Sequence, residues 1–93
     1  MKKSSIKIIN ETGLHARAAS KLAEMATEYS SSIKIGHEKM VDGKSILALM
    51  MLAAVKGTVL NIEVEGIDEE QAMNSILNLI GTGFGETKQV KPS

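Results

Sequence analysis

Residues 10–29 of the chain read NETGLHARAASKLAEMATEY, and the rest of the fold is arranged around this stretch. From about residue 16 its apolar residues recur three and four positions apart, the spacing that places them on one face of a helix. These residues are Ala19, Leu22, Ala23 and Ala26. Lys21, Glu24 and Glu28 occupy the other faces. The pattern therefore predicts an amphipathic helix over residues 16 to about 29.

The start of this helix lacks an ordinary cap. Leu14 and His15 stand where a serine, threonine, aspartate or asparagine usually accepts the first backbone N–H groups. Those N–H groups, together with a helix dipole equivalent to about +0.5 charge, attract anions. The sequence therefore predicts an anion-binding helix start beside His15.

His15 is the candidate reactive group at this helix start. The positive end of the dipole favours the neutral imidazole, which is a nucleophile near pH 7. A phosphoryl group on the ring would meet the backbone N–H groups of Ala16, Arg17 and Ala18. Its oxygens could also accept two hydrogen bonds from the Arg17 guanidinium. The other interpretation is that His15 is an ordinary surface residue or a partial cap, and residue spacing alone leaves both open.

Four segments outside this helix show the alternation or the short apolar runs of β-strands. They span residues 4–9, 32–35, 40–41 and 58–65. Residues 10–14 connect the first strand to the helix, and Gly13 supplies the backbone freedom that this turn needs. His37 lies in the predicted turn between the second and third strands and is assigned no role.

An entirely apolar run over residues 46–55 predicts a short second helix, with Ser45 as its N-cap. We expect Leu49, Leu52 and Ala53 to pack on the sheet. The residues then left facing outward are Ile46, Leu47 and Met50. Such a face is either a docking surface or the second buried side of a helix. A domain of this size has little material to cover a second side, which favours docking.

A third helix is predicted after residue 67. Asp68 and Gln71 have the spacing of a capping box, and Glu69 and Glu70 complement the helix dipole. Its apolar stripe consists of Ala72, Met73, Ile76, Leu79 and Ile80. Three glycines, Gly81, Gly83 and Gly85, end it. Residues 87–93 have little to bury and are expected to form a mobile tail after one domain over residues 1–86.

The element order is βαββαβα, which indicates an α+β domain with an antiparallel sheet open on one side and helices on the other. The 93 residues include no cysteine, carry a formal net charge of zero and contain two aromatic residues, Tyr29 and Phe84. These features exclude a thiolate metal site and argue against nucleic-acid binding. With no apolar segment of spanning length, we expect a soluble, cytoplasmic protein. No catalytic constellation, metal cluster or cofactor motif is evident, which favours a carrier over an enzyme.

Two motifs carry a family resemblance. GLHARAAS, residues 13–20, resembles the active-site motif of HPr, the histidine-containing phosphocarrier of the bacterial phosphoenolpyruvate-dependent phosphotransferase system. The resemblance continues through GKSILALMMLAAVK, residues 43–56, and covers the chain to about Glu86, with one residue fewer in the turn at 36–39. Ala18 replaces the family's usual proline, so the first helical turn loses a fixed φ and gains an N–H donor. We expect the site to tolerate this change, because the proline supplies rigidity and no chemistry.

The resemblance implies an open-faced β-sandwich, a four-stranded antiparallel sheet with three helices on one face. It places the first and fourth strands together at the centre of the sheet, the second beside the first's partner and the third at an edge. It also implies that His15 accepts a phosphoryl group on Nδ1 from Enzyme I and passes it to Enzyme IIA domains, with Arg17 stabilising the phosphate. The protein would act as a monomer, without a cofactor, metal, nucleic acid or membrane insertion.

Further roles follow from the same resemblance. The implied partner-binding residues are Ala16, Ser20, Lys21, Ile46, Leu47 and Met50. Ser45 matches the serine that HPr kinase/phosphorylase modifies in many bacteria, a role compatible with capping a helix. Two alternatives stay open: a paralogous carrier of the regulatory nitrogen branch, which residues 81–86 and 50–54 resemble, and a binding module that no longer relays phosphate. The intact His15 and Arg17 argue against the second.

Overall fold

Strands and helices follow one another along the chain in the order that the sequence predicts. The computed structural model describes residues 1–85. Its strands are β1 (Lys2–Lys7), β2 (Ser32–Gly36), β3 (Met40–Asp42) and β4 (Val59–Glu65). Its α-helices are α1 (Ala16–Thr27), α2 (Ile46–Met51) and α3 (Glu69–Gly81), followed by a 3-10 turn at Gly83–Gly85. The predicted βαββαβα order is confirmed.

The strands form one antiparallel sheet in the order β1-β4-β2-β3. The pairing of β1 with β4, the place of β2 beside β4 and the edge position of β3 are confirmed. The expected central position of β1 is wrong, because β1 forms the other edge. Its lysines, Lys2, Lys3 and Lys7, suit an edge strand, since charged side chains there discourage pairing with further strands.

The two faces of the sheet differ as the alternation predicts. The inner face carries fully buried side chains, which are Ile33, Ile35, Leu60, Ile62 and Val64. The outer face carries a row of aligned, alternating charges across all four strands, formed by Lys3, Glu63, Lys34 and Asp42. Opposite charges directly across neighbouring strands stabilise a sheet modestly. The helices cover the inner face, and the open-faced α+β sandwich is confirmed.

α1 packs into the core through the four residues that periodicity selected and through Ala18, which it did not. α1 buries Ala18, Ala19, Leu22, Ala23 and Ala26. It contacts both α2 and α3, and α3 lies against β1 and β4. α1 ends at Thr27, two residues before the predicted end. The buried face of α1 therefore joins the other two helices into one layer.

The second helix is shorter than predicted. It ends at Met51, with Leu52 as its C-cap, and Ala53 adopts a left-handed backbone at φ +51°. Leu49 is buried and Leu52 is half-buried as expected, but Ala53 is exposed. The expectation that Ala53 packs on the sheet is wrong because the chain leaves the helix before it. An apolar run does not by itself show at which residue the helix ends.

The predicted capping box of α3 is also wrong. Asp68 is the N-cap residue, yet its side chain makes no capping bond. Its carboxylate accepts hydrogen bonds from the backbone N–H groups of Ser30 (2.9 Å) and Ser31 (3.0 Å) and from the Ser31 hydroxyl. The hydroxyl of Ser31, followed by the N–H of Ser30, lowers the pKa of Asp68. Asp68 therefore ties the start of α3 to the segment after α1.

The chain after α3 folds back on α1. Gly81 is the last residue of α3, and Phe84 is fully buried with a left-handed backbone at φ +57° between Gly83 and Gly85. The Lys21 ammonium donates to the Phe84 carbonyl at 2.9 Å. The predicted mobile tail, residues 87–93, and the domain limit at residue 86 lie outside the described residues.

The Asp68 contact predicts a pH-dependent stability. Because folding lowers its pKa, ionised Asp68 stabilises the fold above its unfolded pKa of about 3.9, and this contribution is lost as the pH falls through the lower folded pKa. Asp68→Asn removes the negative charge and replaces one accepting oxygen of the carboxylate with an NH2 group. It should therefore lower the unfolding midpoint at pH 7. The difference from the wild type should shrink at about pH 3.

Urea or thermal unfolding followed by circular dichroism measures both effects. Glu70→Gln is the matched control, because Glu70 is exposed on the first turn of the same helix. It should unfold like the wild type at pH 7. An Asp68→Asn protein as stable as the wild type at pH 7 would show that the carboxylate contact does not stabilise the fold.

Candidate functional site

The start of α1 has the open geometry that its sequence predicts. His15 is the N-cap residue, with φ −84° and ψ −176°, and its side chain makes no capping hydrogen bond. The first turn carries no acidic residue, and the Ala19 N–H donates to the His15 carbonyl at 2.8 Å. The N–H groups of residues 16–18 precede this bond and so lack acceptors one turn earlier within the helix. They form the positive end of α1 next to the imidazole.

Gly13 allows the loop before α1 to approach the segment after α2. It has φ +67°, and a Cβ at this position would lie 2.5 Å from the Ala54 carbonyl oxygen and 2.9 Å from the Val55 Cα. The next residue, Leu14, is buried and donates its N–H to the same Ala54 oxygen at 2.9 Å. Any larger residue would push these two backbones apart.

Further contacts hold the same two segments together. The Ile8 N–H donates to the Thr58 carbonyl at 2.9 Å, and the Gly57 N–H donates to the Ile8 carbonyl at 2.8 Å. The Lys56 ammonium lies 2.7 Å from the Glu11 carboxylate and lowers the pKa of that exposed group. The two backbone hydrogen bonds therefore fix the start of the loop carrying His15 to the loop that follows α2, and the exposed ion pair adds little to them.

The His15 ring is half-buried, and its Nδ1 faces the preceding loop. Nδ1 lies 3.2 Å from the Gly13 carbonyl oxygen and 3.3 Å from the Thr12 hydroxyl oxygen. A carbonyl oxygen can only accept, so the first contact is a hydrogen bond when Nδ1 carries the proton. When Nε2 carries it, Nδ1 can accept from the Thr12 hydroxyl instead. The contacts around Nδ1 are thus compatible with either neutral tautomer.

Asn10 is a site residue that the sequence reasoning missed. It is 1% exposed, and its amide donates to the Gly13 carbonyl oxygen at 2.9 Å. Thr12, which contacts the ring, was missed as well. An asparagine shortly before a glycine is a known turn signal and could have drawn attention to this loop. That signal would not have shown the burial of Asn10.

Arg17 is exposed on the first turn of α1 and, within residues 1–85, makes no hydrogen bond or ion pair. A guanidinium in this state can bind an anion without first breaking an internal contact. Ala16 beside it is also exposed, whereas the Ala18 side chain is fully buried. The charged side chain and the helix start therefore lie next to each other on the surface.

An apolar surface lies on the outer side of α2, the helix that packs against α1. Ile46 is 42% exposed, Leu47 68% and Met50 40%, as the docking interpretation expects. Met51 (76% exposed) and Val55 (64%) enlarge this surface and were not foreseen. In the described part of the chain, α2 is therefore not buried on both sides. We call these five residues the α2 surface.

The remaining candidate residues have structural contacts of their own. Ser20 is half-buried, and Lys21 is exposed while its ammonium holds the Phe84 carbonyl. Ser45 caps α2 as predicted, because its hydroxyl accepts from the Ala48 N–H at 3.2 Å. The side chains of Lys21 and Ser45 thus make hydrogen bonds within the fold itself.

Residues 1–85 contain neither a candidate metal site nor a helix that could span a membrane. No group of three or more histidine, aspartate or glutamate side chains there is placed to hold a metal ion. None of the helices in that range combines the length and apolar character needed to cross a bilayer.

Comparison with known proteins identifies the family of this chain. Residues 2–82 match the family described as the PTS HPr component phosphorylation site. The phosphocarrier protein HPr of Neisseria meningitidis is 48% identical over 87 residues, covering 92% of this chain and 98% of that protein. The phosphocarrier protein NPr of Klebsiella oxytoca is 33% identical over 86 residues, covering 90% and 96%.

A solved structure shows the same fold. The crystal structure of HPr from Thermoanaerobacter tengcongensis superposes with a TM-score of 0.88 at 41% identity, covering 91% of this chain and 97% of that one. The family match spans both motifs, the loop with His15 and the helix with the α2 surface. The chain therefore belongs to the HPr family of phosphocarrier proteins of the phosphotransferase system.

Proposed function

We propose that this chain accepts a phosphoryl group on His15 Nδ1 from phosphorylated Enzyme I and passes it to Enzyme IIA domains, for sugar uptake, for regulation or for both. The observation that carries the proposal is the helix start itself. His15 occupies the N-cap of α1 without capping it, and the exposed Arg17 lies two residues onward, in the first turn of the helix. A helix start of this kind stabilises negative charge on a group beside it, such as a phosphorylated His15 ring.

The transfer needs little from the protein beyond position and charge. The Nδ1 lone pair attacks phosphorus while the bond from phosphorus to the donor's nitrogen breaks, and Nε2 keeps the ring proton. The N–H groups of Ala16, Arg17 and Ala18 and the Arg17 guanidinium bind the phosphoryl oxygens. The product P–N bond is labile enough to be passed on. The protein is therefore a carrier between enzymes, and its chemistry requires no cofactor.

The observed ring position adds one step to this scheme. Nδ1 lies 3.2 Å from the Gly13 carbonyl oxygen, a place that a phosphorus atom cannot share. The imidazole must turn away from this carbonyl as the donor approaches. Such a side-chain rotation is fast compared with protein association.

The α2 surface and the exposed part of α1 form the proposed docking face. The residues assigned to it are Ala16, Ser20, Lys21, Ile46, Leu47 and Met50. Apolar contact supplies the adhesion, and the charged residues of α1 orient the partner. The contact has to be weak, because the same face serves a donor and then an acceptor.

Ser45 is proposed as a regulatory site for HPr kinase/phosphorylase. Phosphorylation would add a charge of about −1.5 to −2 at the start of α2, which its dipole tolerates. Ser45 directly precedes Ile46 and Leu47 on the α2 surface. A hydrated dianion beside these side chains would weaken docking without unfolding the helix.

The relatives favour the sugar-system carrier over the nitrogen-branch carrier. The HPr of Neisseria meningitidis is 48% identical to this chain, against 33% for the NPr of Klebsiella oxytoca. We further propose that the protein works as a monomer in the cytoplasm, where Enzyme I and soluble IIA domains meet it.

The acceptor assignment is tested by incubating the protein with Enzyme I and labelled phosphoenolpyruvate. The wild type should gain one phosphate that is labile in acid and stable in base, as expected for a phosphohistidine. His15→Ala should gain none. His37→Ala is the matched control, since His37 is exposed in the β2–β3 turn and should leave labelling unchanged. Labelling that persists in His15→Ala would place the phosphate elsewhere.

The docking face is tested by Leu47→Glu. Leu47 is 68% exposed, so the substitution should leave the unfolding midpoint nearly unchanged. It should slow transfer from Enzyme I about tenfold or more, because a carboxylate would be buried in the contact.

Ile67→Glu is the control for this experiment. Ile67 is 94% exposed and precedes α3, beside the segment that follows the far end of α1. Its transfer rate should match the wild type. An unchanged rate in Leu47→Glu would remove the α2 surface from the docking face.

A further inference from the structure

The contacts of Asn10 converge on the reactive nitrogen. Its amide Nδ2 donates to the Gly13 carbonyl oxygen at 2.9 Å and lies 3.4 Å from the Thr12 hydroxyl oxygen. These are the same two oxygens that lie 3.2 Å and 3.3 Å from His15 Nδ1. Asn10 itself is 1% exposed, so water does not readily replace its amide. A buried side chain thus contacts both groups that face Nδ1.

The two oxygens have opposite effects on the imidazole. The Gly13 carbonyl only accepts, so it favours the tautomer with the proton on Nδ1. The Thr12 hydroxyl can donate, so it can support the tautomer with the lone pair on Nδ1. Which tautomer prevails depends on how strongly each oxygen is engaged elsewhere.

Asn10 shifts the effects of both oxygens toward the tautomer with the lone pair on Nδ1. A carbonyl that already accepts a 2.9 Å bond from Asn10 gains less from a second donor on Nδ1. A hydroxyl whose oxygen accepts from Asn10 can turn its own hydrogen toward Nδ1. Hydrogen bonds in such a chain polarise one another, which strengthens the last donor.

We propose that Asn10 is a positioning residue for phosphoryl transfer, whose amide favours the His15 tautomer with the lone pair on Nδ1 by engaging the Gly13 carbonyl and directing the Thr12 hydroxyl. The inference rests on the proposed function in taking Nδ1 as the acceptor. In this tautomer Nδ1 needs to lose no proton: once the ring has turned away from the Gly13 carbonyl, its lone pair attacks phosphorus and Nε2 keeps its proton. In the other tautomer Nδ1 must first lose a proton.

The direct test is the tautomer of the unphosphorylated protein. Long-range ¹H–¹⁵N NMR of the imidazole distinguishes a protonated from an unprotonated Nδ1. Wild-type His15 should show an Nδ1 shift typical of the unprotonated nitrogen. Asn10→Ala and Thr12→Val should move this shift toward that of a protonated nitrogen. Thr12→Ser keeps the hydroxyl and should retain the wild-type shift.

The same variants should change the rate of transfer from Enzyme I. Because only the competent tautomer reacts, Asn10→Ala and Thr12→Val should be about threefold to tenfold slower, while Thr12→Ser stays near the wild type. Thr12 is exposed, so Thr12→Val tests the idea even if Asn10→Ala folds poorly. Glu11→Gln is the control within this loop. It removes the exposed contact with Lys56 and should move neither the tautomer nor the rate.

The outcomes separate this inference from the proposed function. A wild-type ring protonated mainly on Nδ1, or Asn10→Ala and Thr12→Val proteins with unchanged tautomer and rate, would overturn the role of Asn10. Lower stability in Asn10→Ala with an unchanged tautomer would reduce Asn10 to a structural residue of the loop. If Enzyme I does not label the wild-type protein, the proposed function is wrong. The tautomer measurement uses the unphosphorylated protein without Enzyme I, so it tests the role of Asn10 in either case.

Discussion

The close approach of two backbone segments at Gly13 is the constraint on which the site depends. With φ +67° and no side chain, Gly13 lets Leu14 donate to the Ala54 carbonyl at 2.9 Å. This contact joins the start of α1 to the segment leaving α2. The candidate acceptor and the α2 surface belong to elements far apart in the chain, and this contact helps to hold them side by side. A side chain at this position would displace one of them.

The site that results uses the backbone more than side chains. A helix start supplies N–H groups and a dipole without burying a charged side chain. A single exposed arginine adds a movable cation. The histidine ring, the proposed carrier of the phosphate, rests on a loop that a buried asparagine holds in place. This division suits a protein that must bind phosphate well enough to carry it and still release it. Strong, enclosing contacts would oppose the second step.

Local patterns in the sequence account for the elements and for the centre of the site. The uncapped start at Leu14 and His15, the alternation in β4 and the outward residues of α2 are visible in short stretches, because helix and strand periods are local properties. The Ser45 cap was predictable for the same reason. The family resemblance added the fold and the strand order, which the structure confirms except for the central position of β1.

The features that sequence reasoning missed depend on contacts between distant segments. Asp68 has the spacing of a capping residue, but the two N–H groups after α1 compete for its carboxylate. Ala53 leaves the helical region where the Ala54 carbonyl meets the loop before α1. The burial of Asn10 and Phe84 likewise follows from the packing of loops. No periodic pattern records such contacts.

The proposed mechanism requires the N–H groups at the start of α1 to bind the phosphoryl group on His15. The most direct measurement compares ¹H–¹⁵N spectra of the protein before and after phosphorylation by Enzyme I. Large downfield amide proton shifts are expected at Ala16, Arg17 and Ala18 alone, because charge-assisted hydrogen bonds to a phosphate deshield the donors. Phosphorylated His15 with unchanged amide shifts at these three residues would contradict it.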